Sequence, residues 1–92
     1  MTTLLDVIDF FGAEAQENLC IEECAELIQA INKKHRGILH NIPEEIADVE
    51  IMLEQLKIIN ECAAEVREIK SAKIQRLAHI LEGRKNDSYG TD

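Results

Sequence analysis

The chain has 92 residues, carries 18 Asp and Glu against 10 Lys and Arg, and has a formal net charge of −8. That balance argues against nucleic acid as a partner, because a phosphate backbone is bound through an excess of Lys and Arg. With 3% aromatics, no Trp, four Gly and one Pro, the composition reads as all-α.

An apolar stretch, Leu4, Leu5, Val7, Ile8, Phe10 and Phe11, predicts a short first helix capped by Thr2 or Thr3. Gly12 breaks it. A second helix is expected from about Ala13 to about Arg36, with Gly37 as its C-cap. Its basic end, Lys33, Lys34, His35 and Arg36, complements the helix dipole and could also reach a phosphate. Residues 37–42 form a loop, and Pro43 suits the start of a third helix running to about Ile59. Asn60 and Glu61 mark a turn. A fourth helix is expected from Cys62 to Glu82, with Gly83 ending it. Residues 1–83 then form one domain, and 84–92 read as a disordered polar tail.

No apolar run approaches the ~18 residues of a membrane span. The first residues lack the basic-then-apolar layout of a secretory leader. Three cysteines fit a reducing cytosol better than a disulfide framework, so a cytoplasmic location is expected. A chain this short buries only ~60–65% of its unfolded surface. A lone core is therefore marginal, and burying apolar surface between identical subunits is a common remedy.

Two acidic clusters carry the chemistry. The first is Glu22-Glu23-Cys24-Ala25-Glu26, the second Glu45-Ile46-Ala47-Asp48, with residues 27–44 between them. Each holds carboxylates at i, i+3, which share a helix face and repel one another. A cation between them would relieve that repulsion, and an oxygen-only set suits a hard divalent ion, Mg²⁺ or Mn²⁺.

Stepping the helices at about 100° per residue places these groups. On the second helix the apolar stripe is Cys20, Cys24, Leu27, Ile28 and Ile31. Glu23 lies on its shoulder, Glu26 further round and Glu22 furthest. On the third helix the stripe is Ile46, Val49, Met52, Leu53, Leu56 and Ile59, with Glu45 inside its arc and Asp48 on its edge. A carboxylate facing a core is costly unless paired or metal-bound. Glu44 reads instead as a first-turn acid answering the helix dipole.

The fourth helix shows the opposite anomaly. Lys70 and Lys73 fall within the stripe Val66, Ile69, Ile74, Leu77, Ile80 and Leu81, and Arg76 lies just outside it. A lone lysine on an apolar face can snorkel or serve a polar site. Two at i, i+3 favour binding of anionic substrate oxygens. Hard metal, anionic substrate and Lys/Arg together suggest phosphoryl chemistry, and no phosphate-cradling glycine loop is present. Cys20 and Cys24 at i, i+4 lie in an apolar stripe and read as core packing. A di-iron bundle needs Glu-x-x-His, and none of His35, His40 or His79 has a Glu three residues before it.

From Glu22 to Asp48 the chain matches the E-E-x-x-E, spacer, E-x-x-D pattern of the MazG-like all-α nucleoside triphosphate pyrophosphatases, and it resembles that family from roughly Phe11 to Leu81. Gln16 and the Arg36-Gly37 pair add to the match. The resemblance implies Mg²⁺ held by Glu23, Glu26, Glu45 and Asp48, with Glu22 assisting. It implies cleavage of nucleoside triphosphates between the α and β phosphates, and dimers or tetramers of helical subunits. In this reading Glu22 or Glu26 takes a proton from water, and Lys73, with Lys70 or Arg76, binds the departing pyrophosphate. Where many members carry an Asn before the Lys and Arg of the later helix, this chain has Ser71 before Lys73 and Arg76. Two other readings remain: a phosphoribosyl-ATP pyrophosphohydrolase, and a non-catalytic dimeric helical interaction module.

Overall fold

The computed structural model describes residues 1–90, with side chains described to Lys85. It is all-helical, with four helices and no strand among the described residues: α1 (Leu4–Phe11), α2 (Ala13–His35), α3 (Ile42–Ile59) and α4 (Ala63–Gly90). The chain divides into two compact units, Met1–Glu61 and Cys62–Asp92.

In the first unit local chemistry sets every helix end. Thr3 opens α1 with a reciprocal capping box. Its hydroxyl accepts from the Asp6 backbone N–H at 3.2 Å, and the Asp6 carboxylate accepts from the Thr3 backbone N–H at 2.9 Å. Gly12, at φ +95°, turns the chain between α1 and α2. At the end of α2 the Ile38 N–H donates to the Lys33 carbonyl at 2.9 Å and the Gly37 N–H to that of Lys34 at 3.0 Å. These are the paired bonds of a Schellman end, and they put Gly37 at φ +71°. Pro43 sits in the first turn of α3, where a missing N–H costs nothing. At the other end of α3, the Asn60 side chain donates to the Leu56 carbonyl at 3.0 Å.

α2 and α3 form a helical hairpin through residues 36–41, and α1 packs on both. The inward face of α2 runs through Gln16, Leu19, Cys20, Glu23, Leu27 and Ala30, a repeat of three and four residues. That of α3 runs through Ile42, Glu45, Asp48, Val49, Met52, Gln55 and Ile59. The core is small: Ile8, Cys20, Ala30 and Met52, with the amides of Gln16 and Gln55. Cys20 is a buried free thiol, as expected of core packing. Burial raises its pKa first, then the neighbouring Cys24 thiol.

The stripe expected on α2 is displaced. Ile28 and Ile31 are exposed, and the inward face passes through Glu23 instead. On α3 Ile46 and Leu53 likewise turn outward. Both helices carry apolar residues on two faces, so hydropathy alone averages over them.

The second unit is α4. It begins at Ala63, as expected, and continues through Gly83 to Gly90, past the expected helix end. A glycine within a helix costs about 1 kcal/mol relative to Ala, and the strong helix formers Arg84 and Lys85 follow it. Within this single-helix unit Ile69, Ile74, Leu77 and Leu81 are exposed. Residues 91–92 of the expected tail lie outside the described residues.

Candidate metal centre

The α2–α3 hairpin brings the two acidic clusters together. Glu23 of α2 and Glu45 and Asp48 of α3 each offer one carboxylate oxygen, and these oxygens lie within 4.8 Å of one another. Two oxygens on one ion, each at roughly 2.0–2.6 Å, stand at most about 5 Å apart. The trio is therefore spaced as the donors of a shared divalent ion are. All three side chains are half-buried, between the core and solvent.

The electrostatics are those of crowded carboxylates. The Glu23 carboxyl is held above its ordinary value by loss of solvent first, then by the carboxylates of Glu26, Asp48 and Glu45. Glu45 is raised by loss of solvent first, then by Glu26, Asp48 and Glu44. Glu26 thus stands beside both, although its own side chain is exposed. One oxygen of Glu23 and one of Glu45 are buried with no hydrogen-bond partner. Among the described residues the one ion pair is Lys57 with Glu54 at 2.8 Å, and it serves neither. Buried polar atoms are ordinarily paired, so an orphaned oxygen on each of two carboxylates of one cluster fits a cation that both would bind.

Of the expected site residues, the structure thus groups Glu23, Glu45 and Asp48, with Glu26 adjoining. Glu22 is exposed and outside the trio. Lys70, Lys73 and Arg76 belong to the second unit, exposed on α4. Glu44 is exposed in the first turn of α3, as a dipole-answering acid should be, and its carboxylate accepts from the Asn41 side chain.

The sequence reading missed a cleft of about 440 Å³ against the acids. Its lining includes Glu26, Glu45, Ala30, Lys33, Leu39 and His40. The helical period held the signal for Lys33, since Glu26, Ala30 and Lys33 share a face at i, i+4, i+7. His40 lies in the loop, where no periodicity points to it.

No known protein family, characterised protein or solved structure matches the chain.

Proposed function

We propose that the chain is a Mg²⁺-dependent nucleoside triphosphate pyrophosphohydrolase, acting in the cytoplasm as a homodimer or homotetramer. The observation that carries this reading is the convergence of Glu23, Glu45 and Asp48, two of them with orphaned buried oxygens, at the positions the MazG-like resemblance assigns to the metal. Bound there, Mg²⁺ or Mn²⁺ would neutralise triphosphate charge and acidify a water.

The residues divide the rest of the work. Glu23, Glu45 and Asp48, with Glu26, would hold the ion. Glu26 is solvent-open beside two of them, so it, or Glu22, accepts the proton of the attacking water. Water oxygen bonds to the α-phosphorus as the bond to the αβ-bridging oxygen breaks. The electron pair leaves with pyrophosphate. The resemblance gives the departing charge to Lys73, with Lys70 or Arg76. A phosphoribosyl-ATP substrate would use the same groups.

Turnover of each NTP and dNTP, with and without Mg²⁺, tests this reading, with nucleoside monophosphate and pyrophosphate resolved as products. Release of both, abolished by chelator, is expected. No turnover across the panel leaves the non-catalytic helical module as the better account.

A further inference from the structure

The hydrolase reading gives the departing pyrophosphate to α4 and leaves open which groups of the basic end of α2 reach a phosphate. Yet that unit keeps its positive charge in one place. Within Met1–Glu61 the Lys and Arg residues are Lys33, Lys34, Arg36 and Lys57, and three of these four fall in residues 33–36. Lys57 is spent on Glu54, whereas Lys33 makes no ion pair among the described residues. The Schellman end at Gly37 then turns the loop so that His40 lines the same cleft as Lys33.

This cleft is continuous with the acidic cluster, because Glu26 and Glu45 belong to both. Its volume, about 440 Å³, lies in the range of small-molecule sites. A ligand held by an ion at Glu45 and extending toward the loop would pass from carboxylates to an ammonium and an imidazole. That order, metal then cations, suits a polyphosphate. A nucleobase would want a flat aromatic wall, and the apolar lining is Leu39 and Ala30.

We propose that Lys33 and His40 form a phosphate subsite for the pyrophosphate end of the substrate, within one subunit. This rests on the hydrolase reading, and it adds a cation from α2 to those assigned on α4. Lys33 donates to the terminal phosphate oxygens, and His40 hydrogen-bonds them from the loop. The nucleoside end of the substrate then lies away from this cleft.

Calorimetric titration of the full chain in saturating Mg²⁺ with inorganic pyrophosphate, and separately with a nucleoside monophosphate, tests the subsite. In Lys33→Met, pyrophosphate affinity is expected to fall about tenfold or more, the loss of one charge-assisted bond, with His40→Ala weaker in the same direction. Lys33→Arg should recover it to within about threefold, and monophosphate affinity should stay within about twofold of wild type in all three. Unchanged pyrophosphate affinity in Lys33→Met overturns the proposal, as does an equal loss for monophosphate. Pyrophosphate binding that depends on Lys33 in a protein without turnover would sustain the subsite and sink the hydrolase. Turnover with pyrophosphate affinity indifferent to Lys33 would do the reverse.

Discussion

At the scale of single residues, Glu23 and Glu45 couple folding to protons and to metal. Both carboxyls are raised by loss of solvent and by neighbouring carboxylates, so folding costs free energy whenever both are charged and no cation is bound. The sign follows from proton binding. Between the ordinary Glu value, ~4.3, and the raised folded value, the native state holds more protons than the unfolded state. Their contribution is therefore favourable below the unfolded value and is lost as pH rises through the folded one. The metal-free wild type should melt progressively lower than metal-free Glu45→Gln as pH rises from ~4.3 toward neutrality, and Mg²⁺ should close the gap. At neutral pH Glu45→Gln and Asp48→Asn should melt at or above metal-free wild type while turnover falls at least roughly a hundredfold. A metal-free variant melting well below wild type would make the residue structural and the ligand assignment wrong.

At the scale of elements, the helices were legible and their faces less so. Thr3, Gly12, Gly37, Pro43 and Asn60 mark helix ends by chemistry that acts within a few residues, and those ends stand where the sequence puts them. Gly83 uses the same residue type without that effect, because nothing after it forces the backbone out of the helix. The inward face of α2 was not legible from hydropathy. Ile21 and Ile28 outweigh Gln16 and Glu23 on any apolar scale, yet the first pair is exposed while the buried Gln16 and half-buried Glu23 face inward. The acids of the candidate site were readable because i, i+3 spacing survives any rotation of the helix. Their partner cleft was not, because it depends on the loop. Gly37 at φ +71° makes that dependence testable. Gly37→Ala meets no neighbouring atom, so its cost is backbone strain, about 1–2 kcal/mol in a urea melt. A melt unchanged from wild type would remove the left-handed turn from the account.

At the scale of the molecule, the outward apolar residues have a pattern. Ile21 and Ile28 on α2, Ile46 and Leu53 on α3, and Ile51 and Ile58 also on α3 repeat at i, i+7, each more than a third exposed. Within its own unit α4 adds Ile69, Ile74, Leu77 and Leu81. Lines of exposed apolar residues at helical spacing are what a helical partner covers, and a small core gains most from such cover. None of the described helices is long and apolar enough to cross a membrane. The reading is a second copy of the chain. Light scattering should give a dimer or tetramer at micromolar concentration, and Ile21→Glu with Ile28→Glu should shift it toward monomer with helical content retained. A monomeric wild type would contradict the oligomer.

If Glu23, Glu26, Glu45 and Asp48 hold a divalent cation, calorimetric titration of the metal-free chain with Mg²⁺ and Mn²⁺ reads it without any substrate. Saturable binding, lost in Glu45→Gln and retained in Glu44→Gln, is expected. No saturable binding of either ion, or binding indifferent to Glu45, would contradict it.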